Sequence, residues 1–373
     1  MRILLSGAAL LAAAISVPVA AAAPRYAITE LAPLAGQGAS YAYGVNNQGQ
    51  VAGASAYAPG YGTDAIRWDS SGTPQPVATG TNSGNYAIND AGATAGYDYV
   101  WDDGAYKGLI ASADGDKHYV AAGLATFFTA LNNNGDAVGY TGNSILDFQA
   151  VLYSGGSAQV LGVLGGDTSQ AWGINDAGQV VGYSTYQDGS SDLHAFLYQS
   201  GTMSDLGTLG GSSSYAYGIN NQGVIVGEAF TAGDAASHAY VFQNGAMVDL
   251  GTLAAIGSGV SSWANAINDA GAIVGASQTS ADSDYYATLW QDGRSYDLNR
   301  LIDPSLGWSL DSAWAVSGNG YIVGMGTLNG EQRGFLLSLL PSVPEPASWA
   351  MMLVGFGAIG GAMRTRGGRL SKA

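Results

Sequence analysis

The feature that most limits what this chain can fold into is a unit that returns seven times. YGVNNQGQVAG begins at Tyr43, YAINDAGATAG at Tyr86, TALNNNGDAVG at Thr129, WGINDAGQVVG at Trp172, YGINNQGVIVG at Tyr217, NAINDAGAIVG at Asn265 and WAVSGNGYIVG at Trp314. The aligned asparagines are Asn46, Asn89, Asn132, Asn175, Asn220 and Asn268, with Ser317 in the seventh copy, at spacings of 43, 43, 43, 45, 48 and 49 residues. A period of this size marks a repeat architecture, in which each unit buries its apolar face only by stacking on its neighbours.

The columns of the repeat say what each unit is. A glycine stands three residues after the Asn column in every copy: Gly49, Gly92, Gly135, Gly178, Gly223, Gly271 and Gly320. Asn-Asp-x-Gly between two apolar runs fits a hairpin whose type I turn ends in a left-handed glycine. The residue before the Asn column is always aliphatic, from Val45 to Val316, and the one before that is always Ala or Gly. A second glycine column follows at Gly53, Gly96, Gly139, Gly182, Gly227, Gly275 and Gly324. This alternation gives strands with one bulky face and one face of close approach. A third run, clearest as HAFLY at His194 and HAYVF at His238, is small at its second position every time, from Ala65 to Gly334. A fourth run is clearest as DLGTL at Asp205 and Asp249.

Four short strands in roughly 45 residues is a propeller blade, so the expected fold is all-β, a seven-bladed β-propeller of four-stranded blades. The seventh unit supplies only three strands, ending near Leu340, while the stretch from Tyr26 to Leu34 offers a spare one. Pairing the two closes the ring and removes a sheet edge. An open β-solenoid is the other architecture weighed, and it would need capping units instead. The unit resembles the HAF-type extracellular repeat, on the strand His194-Ala195-Phe196 and over most of residues 26–340. That resemblance implies export and repetition, and no catalytic residues.

Composition agrees with strands and turns. Charged residues are 11%, Gly numbers 57, and there are 22 Tyr and 8 Trp. The formal charge is −16, and Arg2, Arg364, Arg366, Arg369 and Lys372 lie in the two end segments beside a single acid, Glu345, which leaves the middle more acidic than the whole. Such a surface lacks the basic footprint that nucleic acid or anionic lipid would require, so nucleic acid is not an expected partner. Cysteine is absent, which excludes disulfides, thiolate metal sites and a cysteine nucleophile.

Both ends have the form of addresses. Residues 1–23 carry Arg2, an apolar run from Ile3 to Val17, Pro18 and the small residues Ala20 to Ala23, the layout of a secretory signal peptide. Residues 24–341 then form the propeller and 342–373 a separate C-terminal segment. Pro344-Glu345-Pro346 opens that segment, an apolar run at 347–363 follows, and Arg364, Arg366, Arg369 and Lys372 close it. The run is 17 residues long, just enough for a transmembrane helix, and the basic cluster would stay cytoplasmic. The physics leaves open a permanent anchor or a removable one. Pro344, Glu345, Pro346, Trp349, Ala350, Arg364 and Arg366 resemble the PEP-CTERM sorting signal in its PEPxxWA form. That resemblance implies removal by an exosortase-type transpeptidase in the inner membrane, and export to the surface or exterior of a Gram-negative bacterium.

Chemistry is thinly marked. No nucleophile elbow, phosphate-binding glycine loop or zinc helix motif is present. No cofactor is implied, although acidic loops such as Asp114-Gly115-Asp116, or Asp282 with Asp284, could donate oxygens to Ca²⁺. His194 and His238 share a column with Asp64, Lys107, Gln149, Tyr286 and Arg333, which suits a solvent-facing strand start better than a metal pair. The Asn column suits turn chemistry. Trp68, Tyr153, Tyr198, Phe242 and Trp290 suit packing between blades better than a sugar platform. The expectation is therefore a non-enzymatic structural or binding protein of the cell surface or extracellular polymeric matrix, with extracellular polysaccharide as a partner. The alternative is a propeller glycosidase or lyase, which would need carboxylates gathered with aromatics in one concave site.

Overall fold

Each copy of the repeat folds into four antiparallel strands that pair in chain order. In the first blade these are Ala39–Val45, Val51–Ala56, Thr63–Trp68 and Pro74–Ala78. The units at 84–120, 125–162, 169–205, 210–251 and 262–297 repeat that order. The seventh sheet has three strands of its own, Trp308–Val316, Ile322–Leu328 and Glu331–Leu339, and takes its fourth from Tyr26–Leu31. The computed structural model describes residues 23–341 apart from 58–61, 81, 143–146, 188, 190, 254–258 and 280–283. The signal-peptide segment before residue 23 and the sorting segment with its 347–363 span lie outside the described residues. Among the described residues no helix is long and apolar enough to cross a membrane.

The first strand of every blade touches the first strands of both neighbours, so seven inner strands surround one axis. Each runs into the Asn turn. Asn46 N–H donates to Gln50 O, Gly49 N–H to Asn46 O, and the pattern recurs in all seven copies. The seven turn glycines have φ from 74 to 86°, a region where a Cβ is strained. Elsewhere Ser200-Gly201, Asn244-Gly245 and Asp292-Gly293 have positive φ at both residues, the mirror-image turn that suits tight hairpins.

Blades are joined by one seam used seven times. The small residue of the third strand lies against the next blade and the residue after it lies against the previous one. Ala150 shares a buried cluster with Phe196 of the following blade, Ala195 with Tyr240, and Ala287 with Phe335, all 0% exposed. Burying one such aromatic contributes about 1.5–3 kcal/mol, so the seams carry much of the fold's stability. At five of the seven seams a serine from the next inner strand stitches the two blades. Ser214 Oγ accepts from Ala195 N–H at 2.9 Å and donates to Gly207 O at 2.6 Å. Ser83, Ser169 and Ser262 do the same for their blades.

The closing seam is built in the same way. Tyr26–Leu31 pairs with Glu331–Leu339 from Tyr26↔Leu339 to Leu31↔Gly334. Ser40 Oγ accepts from Gly334 N–H at 3.0 Å and donates to Leu31 O at 2.6 Å, so Leu31 occupies the outer-strand place that Gly207 has elsewhere. Arg333 pairs with Glu30 across it at 3.0 Å, and Leu31 is buried with Ile66, Trp68, Val323 and Leu336.

Two outcomes check these seams. Deleting residues 24–36 should lower the melting temperature sharply by opening the ring; an unchanged melting curve in differential scanning calorimetry would contradict the closure role. Ala195→Leu should destabilise by about 1–3 kcal/mol through overpacking against Tyr240. A change within about half a kcal/mol in denaturant titration would place Ala195 on a tolerant surface instead.

Candidate functional site

In all seven blades the inner strand carries a β-bulge at one position. The register between inner and second strands shifts around Tyr43, Tyr86, Thr129, Trp172, Tyr217, Asn265 and Trp314. A bulged residue is left out of the ladder and its side chain is re-aimed. The second glycine column makes room for this. A Cβ on Gly227 would stand 1.9 Å from Tyr215 O, and the other glycines of that column would meet an inner-strand carbonyl at 1.9–2.0 Å. Every bulge therefore has a glycine opposite it for steric reasons.

Six of the bulged side chains are aromatic or hydroxyl-bearing, and all seven converge on one end of the axis. Together with second- and third-strand residues they line a cavity of about 920 Å³, within the range of small-ligand sites. Its walls include Tyr183, Tyr215, Trp263, Tyr285 and Met325. Tyr43 lies against Tyr86 at 5.0 Å and Trp314 at 5.7 Å, Trp172 against Tyr217 at 6.0 Å, and Trp263 against Tyr285 at 4.2 Å between ring centroids. The indole N–H of Trp314 is buried and makes no hydrogen bond among the described residues.

Two carboxylates line the cavity. Glu228 is half-buried, and its Oε1 accepts from Tyr217 Oη at 2.7 Å while Oε2 accepts from Ser237 Oγ at 2.6 Å. Asp234 is exposed, and its Oδ1 accepts from Ser212 N–H at 2.7 Å. Burial, followed by the Glu228 charge, lifts the Tyr217 phenol well above its ordinary value, and burial pushes Tyr183 up to about 12. These phenols stay protonated at ordinary pH and act as hydrogen-bond donors, not as nucleophiles.

The Asn column lies at the opposite end of the inner strands. Each Asn Oδ1 accepts two N–H groups of its own turn, for Asn46 those of Gln48 at 3.1 Å and Gln50 at 2.9 Å. Each Asn Nδ2 donates to the carbonyl of the equivalent residue in the next blade: Asn46 to Asn89, Asn89 to Asn132, Asn132 to Asn175, Asn175 to Asn220, Asn220 to Asn268 and Asn268 to Ser317, at 2.9–3.2 Å. The turn role expected from the sequence is half of what these side chains do.

The remaining candidates are dispersed. His194 Nδ1 meets Asp205 at 3.0 Å and His238 Nδ1 meets Asp249 at 2.8 Å, so each partly exposed imidazole at its strand start holds a carboxylate of the outer strand in its own blade. Asp114-Gly115-Asp116 closes a tight turn on Ser112, and Asp282 lies outside the described residues. Among the described residues no group of three or more His, Cys, Asp or Glu is placed to hold a metal. Trp68 is fully buried and donates to Ala32 O, while Trp290 is 5% exposed. The aromatic column that does line the cavity is the first letter of each repeat copy, which sequence reasoning passed over. Its signal was present, as Tyr, Tyr, Thr, Trp, Tyr, Asn, Trp opposite an invariant glycine.

Gly227→Ala tests whether glycine holds the bulge. It should destabilise by about 2–3 kcal/mol, since the carbonyl of Tyr215 has to move. An unchanged midpoint in urea would show that the bulge does not depend on that glycine.

Residues 342–367 match the PEP-CTERM protein-sorting motif. No curated protein matches the chain. Among solved structures, the β-propeller domain of the Trilobed protease from Pyrococcus furiosus aligns at a TM-score of 0.51 with 9% identity, covering 82% of this chain and all of that domain. That domain has an open velcro topology, whereas here the N-terminal strand completes the last sheet. The Aleuria aurantia lectin aligns at 0.41 with 15% identity over 85% of this chain and 97% of its own. The Trypanosoma rangeli sialidase aligns at 0.35 with 10% identity over 81% and 55%. The first of these likenesses speaks for the propeller fold alone. The chain is thus an all-β, seven-bladed propeller that carries a PEP-CTERM sorting motif, and the motif points to export, cell-surface sorting in bacteria and processing by an exosortase-type enzyme.

Proposed function

We propose that this is a non-enzymatic binding protein of the cell surface or extracellular polymeric matrix of a Gram-negative bacterium. On this reading residues 1–23 are a signal peptide, the blades are HAF-type repeats, and the 347–363 span holds the chain in the inner membrane until the sorting enzyme cuts near Pro344-Glu345-Pro346. The observation that carries it is the cavity, which gathers aromatic faces and hydrogen-bond donors from around the whole ring. A glycosidase needs two carboxylates placed across the scissile bond. Glu228 and Asp234 do share the cavity with aromatics, as the enzyme alternative requires, but Glu228 is engaged by two hydroxyls and the exposed Asp234 by a backbone N–H, an arrangement that supports holding a ligand over cleaving one.

The experiment has two arms. Mass spectrometry of protein from the producing cells should find a C-terminus near Pro344 to Pro346, and Glu345→Ala should leave full-length chain in the inner membrane. The processed propeller should be retarded in gels containing the cells' own extracellular polysaccharide, with no reducing ends or unsaturated products released. Product release would favour the glycosidase or lyase, and a wild-type chain ending at Ala373 would make the tail an ordinary anchor.

A further inference from the structure

We propose that the aromatic cavity takes a protonated amino sugar, its ammonium held by Glu228 and its ring laid on Trp263 and Tyr285. This rests on the binding reading above and narrows the ligand to a cationic glycan.

The argument begins with the charge. Glu228 stands in the second strand of the fifth blade, Ile225–Thr231, directly after the glycine that accommodates the bulge at Tyr217. It is half-buried in a cavity whose described lining residues include no Lys, Arg or His. Its two donors, Tyr217 and Ser237, are neutral hydroxyls, and it has no ion pair among the described residues. Removing a carboxylate from bulk water without a counter-charge is costly, and a ligand cation is the partner that lowers that cost most.

The surroundings favour the same charge. Tyr215 and Tyr217 line the cavity beside Glu228, and the electron-rich faces of such rings attract cations. The same field disfavours a uronate or sulfated sugar, because like charges brought together at a binding site cost about a hundredfold or more in affinity. Trp263 and Tyr285 line the cavity as well, and their flat apolar surfaces suit the C–H face of a pyranose. Phenol and serine hydroxyls around Glu228 complete a set of donors and acceptors for sugar hydroxyls. A carboxylate among aromatics, without cationic lining, therefore selects an amine that is carried on a sugar.

Isothermal titration calorimetry on the processed propeller tests this with four probes: a β-1,4-linked glucosamine tetramer, its fully N-acetylated counterpart, a tetragalacturonate and spermidine. The glucosamine tetramer should bind about tenfold to a hundredfold more tightly than the N-acetylated one, the size of a charge-assisted hydrogen bond. Tetragalacturonate should not bind, and spermidine should bind more weakly than the tetramer. Glu228→Gln, checked for an unchanged melting curve, should bring the two tetramers to equal affinity, while Trp263→Leu should weaken both. The wild-type comparison stands without any variant that fails to fold. Equal binding of amine and N-acetyl forms, or binding of the uronate, overturns the amino-sugar inference and leaves the binding reading intact. Spermidine binding as tightly as the tetramer overturns the sugar part. Failure of every saccharide, with the cells' own polysaccharide also unretained, overturns the binding reading itself.

Discussion

Seven inner strands meet around one axis only if almost nothing stands between them. A Cβ on Gly44 would lie 2.9 Å from Tyr86 O in the next blade, and on Gly173 3.0 Å from Tyr217 O. Where the column holds alanine instead, as at Ala87 or Ala266, a methyl is the largest group in place. The requirement for tiny residues at the axis leaves the inner strands little apolar bulk with which to fill the channel. The bulge one position earlier resolves this by turning a large side chain inward. The glycine opposite it, the aromatic at it and the cavity beyond it are consequences of one steric condition.

The other end of the axis is closed by polarity. The residues after the Asn column run Asn47, Asp90, Asn133, Asp176, Asn221, Asp269, Gly318. Asn47 N–H and Nδ2 donate to the two oxygens of Asp90, and Asp90 N–H donates to Asn133 Oδ1, and so on round the ring. Amide and carboxylate alternate because an amide can donate to a carboxylate, whereas two carboxylates side by side repel. Seven positions cannot alternate all the way round. The exception falls at Gly318, between Asp269 and Asn47, where either an Asp or an Asn would have repeated a neighbour. Asn319 fills in by donating from its N–H to Asn47 Oδ1 and from Nδ2 to Asn47 O.

The period, the four-strand unit and the turn glycines were legible in the sequence because each is a local demand repeated seven times, so that chance variation averages out. The serine stitch and the bulge were not read, because their columns vary where the glycine columns do not. Ser40, Ser83, Ser169, Ser214 and Ser262 look like ordinary turn residues until the preceding blade's backbone is seen to need a donor and an acceptor there. A bulge leaves no mark in an alternation pattern, since the residue it displaces still looks like part of the strand. The histidines' partners were not read either, because Asp205 and Asp249 are eleven residues away from the imidazoles they hold.

Repetition also supplies a reference inside the chain. A residue that the fold requires should recur in the copies, and one that serves a ligand is free to depart from them. The column after the second glycine reads Ala54, Tyr97, Tyr140, Tyr183, Glu228, Ala276, Met325. Three copies place a phenol there, and the fifth alone places a carboxylate. Tyr97 and Tyr140 pack on Phe127, and Tyr183 packs on Trp172 and Tyr215, so the phenols make ordinary ring contacts. Glu228 makes none of these and turns to Tyr217 and Ser237, on the wall of the cavity. Stability gives no reason for the exchange, since a half-buried charge held by neutral hydroxyls is costlier than the ring it replaces. On the binding reading proposed above, the departure has its explanation in what the cavity receives.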